Sequence, residues 1–205
     1  RGDMKAVVRA ILLDPEARGD VKTAPRYGKM REPVQLMTAL TRLFPARAYS
    51  GLGTSDGGGF SAYGAQMGQN PFNSPTVFNY FLPDHIIAGT TILAPEFEVF
   101  NTGTSVKRTN MLSVLIFEGM QSNATDALRG TSLDFAEYEA ISSQDDTGGL
   151  LMDALNMQFM HGTLSAAQRA LILTAVQAVP TNNPRQRVKT AAYLLAASSQ
   201  YQIQR

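Results

Sequence analysis

The sequence predicts a mainly helical fold, a helical bundle-like domain with a long loop region rich in Gly, Pro and Asn in its middle. Three observations support this fold class. Apolar residues recur at helical spacing in several segments, and Gly and Pro cluster between residues 51 and 93. Hydrophobic residues make up 44% of the chain and charged residues 17%. That balance is typical of a globular protein, so we expect residues 1–205 to form a single helical unit.

Two helices are predicted before the loop region. The first covers residues 4–13, with Asp3 as its N-cap and Pro15 just beyond its end. The second covers residues 32–44 and has Pro33 in its first turn. Their apolar stripes are Val7, Val8, Ile11 and Leu12 in the first helix, and Leu36, Met37, Leu40, Leu43 and Phe44 in the second.

The segment 51–93 is the least helical part of the chain. Five glycines fall within residues 51–59, which predicts a mobile tract. A loop region of this length is uncommon in a compact domain and is usually functional or mobile. We expect the second half to be ordered and held against the helical body by its aromatic residues, which are Phe72, Phe78, Tyr80 and Phe81.

A third helix is predicted from Pro95 to Glu118, with a bend near Gly103. Residues 119–147 are turn-rich and polar, so no regular element is predicted there. Three of their side chains are expected to point inward, and these are Leu133, Phe135 and Tyr138.

The last third of the chain predicts three successive helices with short links. The first ends at Gly162, Ser165 opens the second with a capping box, and Asn183 precedes the third. Short links predict antiparallel packing of the three helices. Their apolar faces include Leu151, Leu155 and Phe159, then Leu171, Ile172, Ala175, Val176 and Val179, and finally Val188, Ala191, Ala192, Leu194 and Leu195.

Composition excludes several classes of function. The net charge is +1 and the 18 basic residues are scattered, so we expect no nucleic-acid partner. The chain has no Cys and only two His residues without metal-ligand spacing, so we expect no metal and no cofactor. No apolar run approaches the ~20 residues needed for a membrane span. The chain opens on Arg1 without an initiator Met, so any targeting signal is expected upstream.

Two groups of residues are candidates for binding a ligand. Arg31 and Glu32 could form a charged clamp, or they could tie a loop to the start of the following helix, which is the commoner use. In the loop region, amide side chains alternate with aromatic rings, as a glycan or peptide groove requires. The alternative is a loop whose amides bond to its own backbone. The loop candidates are Gln69, Asn73, Asn79, Tyr80, Asp84 and His85.

Several segments, in this order, resemble the C-terminal half of the family named domain of unknown function 1800. They are Gly28–Pro33, Met67–Phe78, Leu93–Phe97 and Tyr193–Arg205, with the helix Leu150–Gly162 between the last two. The resemblance implies a longer, bacterial, exported (periplasmic or extracellular) parent without a settled activity. It also implies an N-terminal part of the same protein as a partner, since the family's upstream Trp- and His-rich segment has no counterpart here.

The expected function is a non-catalytic binding or assembly module of an exported bacterial protein, with a glycan or a protein as its partner. The alternative is a hydrolase-like enzyme acting on an extracellular polymer, with part of its site upstream. Its acid/base candidates would be Asp84, His85, Glu96 and Glu32. No Ser elbow and no second His near Asp84-His85 completes a catalytic triad, so no residue is assigned a catalytic role.

Overall fold

The computed structural model describes residues 2–19, 27–122 and 130–204. These residues form ten α-helices and five short strands, which confirms the predicted mainly helical fold. The helices are α1 (Met4–Leu13), α2 (Pro15–Arg18), α3 (Pro33–Leu43), α4 (Phe60–Gln66), α5 (Thr102–Ser113), α6 (Ala136–Ser142), α7 (Gly149–Met160), α8 (Ala166–Gln177), α9 (Pro184–Ala197) and α10 (Ser199–Gln202). The strands are β1 (Lys29–Met30), β2 (Ala46–Arg47), β3 (Met120–Gln121), β4 (Gly130–Leu133) and β5 (Ile203–Gln204).

The first helix has the predicted bounds. The Asp3 carboxylate accepts a hydrogen bond from the Ala6 N–H at 3.1 Å and so caps α1. Pro15 begins α2, as expected for a residue that fits the first helical turn. No residue of α1 is buried, so its predicted apolar face is exposed.

The second predicted helix is α3, and it is confirmed. Pro33 is its first residue, and the Glu32 N–H donates to Gln35 Oε1 at 3.2 Å in the first turn. The apolar stripe faces inward, because Leu36, Met37, Leu40 and Phe44 are all buried in the core.

Helix α4 lies inside the segment predicted to be an irregular loop. Its seven residues include Gly64, and a short helix with a central Gly has little intrinsic stability. Packing between α3 and α5 stabilises α4 instead. Gly64 is required by this packing, because a Cβ atom there would lie 2.5 Å from the Gln69 carbonyl oxygen.

The prediction that aromatic residues hold the second half of the loop against the body is wrong in part. Tyr80 and Phe81 are half-buried, but Phe72 and Phe78 are exposed. Backbone hydrogen bonds shape this part of the loop instead, including one from the Asn79 N–H to the Thr76 carbonyl oxygen at 3.3 Å. A loop closed by such local turns can leave its apolar side chains in water.

The predicted helix 95–118 contains a break just before the expected bend. A 3₁₀ turn covers Pro95–Phe97, and α5 starts only at Thr102. Asn101 and Thr104 form a reciprocal capping box at this new start, with side-chain bonds of 3.0 and 2.8 Å. After α5, the chain continues as a π-helical turn over Val114–Glu118.

The C-terminal helices carry most of the core. Helix α9 contacts α5, α6, α7, α8 and α10, which confirms the predicted contact between the last helices. Leu155 and Val176 are fully buried, whereas Leu171, predicted on the same face of α8 as Val176, is exposed. Helix α7 ends at Met160 rather than Gly162, because His161 already adopts the left-handed conformation with φ 51°.

Two small sheets join distant parts of the chain. β1 pairs antiparallel with β5, and β2, β4 and β3 form a three-stranded sheet in that order. β4 and α6 lie in the region where no element was predicted, but the three expected inward side chains there are buried, namely Leu133, Phe135 and Tyr138. The β1–β5 pair places residues 29–32 beside the last described residues of the chain.

Candidate functional site

Arg31 connects the segment before α3 to the last described residues of the chain. Its N–H donates to the Gln202 carbonyl oxygen at 2.8 Å, which extends the pairing of Met30 with Ile203 by one residue. Its Nε donates to the Tyr201 carbonyl oxygen at 2.8 Å, and its guanidinium carbon lies 4.5 Å from the centre of the Tyr201 ring. Burial raises the pKa of Tyr201, and the nearby Arg31 charge partly opposes this. Arg31 thus has its own structural partners.

Glu32 and Gln69 form a second tie, between the loop region and the start of α3. The Glu32 carboxylate accepts from Lys29 Nζ at 2.9 Å and from Gln69 Nε2 at 2.6 Å. The Gln69 Oε1 atom accepts from the Val34 N–H at 2.9 Å, and the Gln69 side chain is only 4% exposed. Both ends of the Gln69 amide therefore have protein partners, which favours a structural role for this predicted ligand residue.

Three other predicted loop residues keep some access to solvent. Asn73 is exposed, and its Nδ2 donates to the Pro71 carbonyl oxygen at 3.0 Å. Asn79 is exposed, has a φ of 80°, and makes no side-chain hydrogen bond within the described residues. Tyr80 is half-buried, and its hydroxyl donates to the Asn70 carbonyl oxygen. Of the two Asn side chains, that of Asn79 is therefore the one whose amide has no hydrogen-bond partner among the described residues.

In residues 71–80, which we call the aromatic loop, two of the three aromatic rings are exposed to solvent. Phe72 is fully exposed and Phe78 is 67% exposed. Val77, between them, is almost fully exposed as well. The aromatic loop thus leaves three large apolar side chains in water, which suits a surface that contacts a ligand or a partner.

The acid/base candidates do not form a catalytic pair in the described residues. Asp84 is exposed and His85 is half-buried, and no hydrogen bond joins their side chains. Glu96 is buried, and its Oε1 accepts from the Met30 N–H at 2.9 Å. Glu32 is already bonded to Lys29, as described above. Two of the three carboxylates are therefore engaged in holding the fold together.

Arg108, which was not among the residues predicted from sequence, has a buried guanidinium group that contacts the Arg31 backbone. Arg108 is 3% exposed, and its Nη2 donates to the Arg31 carbonyl oxygen at 2.8 Å. Its Nε donates to Gln202 Oε1 at 3.2 Å, while its Nη1 has no hydrogen-bond partner. Burial lowers the pKa of Arg108 to about 10. Arg108 also forms part of the wall of a cavity of about 360 Å³.

A second cavity, of about 480 Å³, lies beside the aromatic loop. Its wall includes the polar side chains of Ser61, Asn70 and Gln121. Ser61 Oγ donates to Asn70 Oδ1 at 2.9 Å, and the Asn70 carbonyl oxygen holds the Tyr80 hydroxyl. The aromatic loop is therefore joined through Asn70 to this second cavity.

The model of the family described as "Protein of unknown function (DUF1800)" matches residues 1–203. The chain belongs to the DUF1800 family. The resemblance seen in the sequence segments is thereby confirmed, and it extends over nearly the whole DUF1800 chain. No curated protein and no solved structure matches it.

Two further observations on this DUF1800 chain concern metal binding and membrane spans. In residues 2–19, 27–122 and 130–204, no three His, Cys, Asp or Glu side chains are grouped closely enough to hold a metal ion. Over the same residues, no helix combines the length and the apolar character that a bilayer span requires.

Sequence reasoning missed Arg108 in this DUF1800 chain, although a signal for it exists. Arg108 lies three and four residues before Met111 and Leu112, so it shares the buried face of α5 with them. A charged residue at the spacing of an apolar stripe lies on the buried face of the helix, where it needs hydrogen-bond partners. Glu96 offered no such signal, because its burial depends on the distant strand β1.

Proposed function

We propose that this DUF1800 chain is a non-catalytic binding module of an exported bacterial protein, and that it binds a glycan polymer through the aromatic loop. The observation that carries the proposal is the exposure of Phe72 and Phe78 on a loop that also exposes the amides of Asn73 and Asn79. Rings with a free face can stack on sugars, and an amide both donates and accepts hydrogen bonds.

The polar side chains in the wall of the cavity beside the loop support the same ligand class. A sugar ring carries several hydroxyl groups, each of which needs a donor or an acceptor when it leaves water. Ser61, Asn70 and Gln121 offer such groups on one wall. A polymer lying along the aromatic loop could place one sugar unit in this cavity while its neighbours stack on the rings.

The hydrolase alternative has weaker support. A glycoside hydrolase needs two carboxyl groups that both face the scissile bond. Glu32 bonds to Lys29 and Gln69, and Glu96 bonds to the Met30 N–H, so neither carboxylate is free in the described fold. Asp84 is exposed, which is the usual state of a surface carboxylate.

Co-sedimentation with insoluble peptidoglycan and with exopolysaccharide tests the proposal. The double variant Phe72→Ala/Phe78→Ala should bind roughly a hundredfold more weakly, because each ring contributes about 1.5 kcal/mol or more when it leaves water. Leu171→Ala is the matched control, since Leu171 is 73% exposed on α8, outside the loop. Both proteins should unfold at the temperature of the unmodified chain.

Three results would count against this proposal. The unmodified chain could fail to sediment with either polymer, or the double variant could bind as well as the control. The third is release of reducing ends by the unmodified chain and its loss in Asp84→Asn, which would replace the binding module by the hydrolase.

The expected upstream part of the same protein is a second partner within this proposal. The exposed apolar face of α1, which includes Val7, Val8 and Ile11, supports it. Hydrogen exchange of α1 should be slower in a full-length parent than in this chain if the helix packs against the upstream part. Equal exchange in both proteins would contradict this contact.

A further inference from the structure

The cavity next to Arg108 is separate from the cavity beside the aromatic loop, and the two share no lining residue. Its wall is mostly apolar, with Met30, Phe97, Phe100 and Ile203 among the lining side chains. The volume of about 360 Å³ lies within the range of roughly 300–1,000 Å³ that is typical of small-molecule sites. The only charged side chain on the wall, among the described residues, is Arg108.

The charge of Arg108 is not balanced within the described part of the chain. Its acceptors are the Arg31 carbonyl oxygen and the Gln202 side-chain oxygen, and both are neutral. Among residues 2–19, 27–122 and 130–204, no carboxylate forms an ion pair with Arg108, and Nη1 has no acceptor. A guanidinium stays protonated at neutral pH, and a buried charge without a counter-charge is strongly unfavourable. This site therefore favours an anion.

The apolar wall decides what kind of anion fits. The rings of Phe97 and Phe100 meet edge to face, with their centres 5.9 Å apart, and form one side of the cavity. Phosphate and sulfate are hydrated on all sides and gain nothing from such a wall. A monocarboxylate with an apolar body gains from both features, because its charged end meets the guanidinium and its body contacts the rings.

We infer that this cavity binds a small monocarboxylate with an apolar body, such as a fatty or aryl carboxylate, through the Arg108 guanidinium. Ser199 also lines the cavity, and its hydroxyl has no partner within the described residues, so it can donate to the second carboxylate oxygen. The Phe100 ring, which also lines the cavity, lies 5.8 Å from the guanidinium carbon and is partly exposed. This site is independent of the proposed glycan surface.

Titration calorimetry with four probes tests the inference on the whole chain. Octanoate and phenylacetate should bind and raise the unfolding temperature. Octanol, which has an apolar body without the charge, and inorganic phosphate, which has the charge without the body, should not bind. N-acetylphenylalanine is a fifth probe, because its carboxylate represents a peptide C-terminus. Binding of that probe alone would assign the site to a peptide end and overturn the small-molecule inference.

Two variants locate the binding. Arg108→Lys keeps the positive charge but loses Nη1, the one guanidinium nitrogen without a hydrogen-bond partner among the described residues, so octanoate should bind roughly tenfold more weakly or worse. Since this change could also destabilise the fold, Ala197→Leu is the second variant. Ala197 lines the cavity and is exposed at the end of α9, so the larger side chain should block octanoate and leave the fold intact.

The outcomes separate this inference from the glycan proposal. Phe72→Ala/Phe78→Ala should leave octanoate binding unchanged, because neither ring lines this cavity. The inference is overturned if octanoate does not bind the unmodified chain. It is also overturned if octanol binds equally well, or if Ala197→Leu binds octanoate as tightly as the unmodified chain.

Discussion

Replacing Gln69 by Ala should destabilise the fold, unlike the replacement of an exposed amide side chain in the same loop region. The amide accepts from the Val34 N–H at 2.9 Å and donates to the Glu32 carboxylate at 2.6 Å. Alanine can make neither bond. The side chain is 4% exposed, so water cannot easily replace either bond.

The size of the effect follows from these two bonds. The Val34 N–H would lose its acceptor, and a buried N–H without an acceptor lowers the free energy of unfolding by about 1–3 kcal/mol. Glu32 keeps its contact with Lys29, so the lost bond to its carboxylate adds only about 1 kcal/mol. Together, Gln69→Ala should lower the free energy of unfolding by roughly 2–4 kcal/mol.

Urea denaturation followed by far-ultraviolet circular dichroism measures this difference. Asn73→Ala is the control, because Asn73 has the same chemistry and lies four residues away but is exposed. It should change the free energy of unfolding by less than about 0.5 kcal/mol. A loss below about 1 kcal/mol for Gln69→Ala, together with weaker polymer binding, would refute the structural role and make Gln69 a ligand residue.

Two other changes test the core and the start of α7. Leu155→Ala should lower the free energy of unfolding by about 2–5 kcal/mol, because the side chain is fully buried, whereas Leu171→Ala should have little effect. Equal effects of the two leucine substitutions would mean that the buried faces of α7 and α8 are wrongly placed. Hydrogen bonds from the Thr147 side chain and the Leu150 N–H lower the pKa of Asp145 from 3.8 to about 2. A carboxylate with a lowered folded pKa stabilises the fold above its unfolded pKa and loses this contribution as the pH falls through the folded value. The unfolding temperatures of the native chain and Asp145→Asn should therefore differ most above pH ~4 and converge toward pH ~2. A difference that stays constant over this range would contradict the assignment.

Much of the helical framework could be predicted from the sequence. Asp3, Ser165 and Asn183 each accept a hydrogen bond from a backbone N–H in the first turn of the helix that they were expected to cap. These caps act over three residues, so the local sequence contains all the interacting groups. The same is true of the stripe Leu36–Leu40, whose spacing alone shows which side of α3 is apolar.

The candidate site was less accessible to sequence reasoning. Arg31, Glu32 and Gln69 were expected as ligand residues, and the structure gives each of them a protein partner. Sequence showed that these polar groups need partners but not which ones, because Gln69 is 37 residues from Glu32 and Arg31 is 170 from Tyr201. The exposure of Phe72 was not predicted either. An apolar side chain is buried only where another part of the fold covers it, and the local sequence does not show whether such a surface is present.

The sequence by itself determined the position of most of the longer helices, which of their faces are apolar, and to which family the chain belongs. Those properties depend on residue order over short distances. Only the tertiary structure decided that α4 forms inside the glycine-rich region, that β1 meets β5, and that Arg108 lies beside an apolar cavity without a counter-charge. Each of these depends on which distant segments come into contact, and burial, pairing and charge balance are properties of that contact rather than of local residue order.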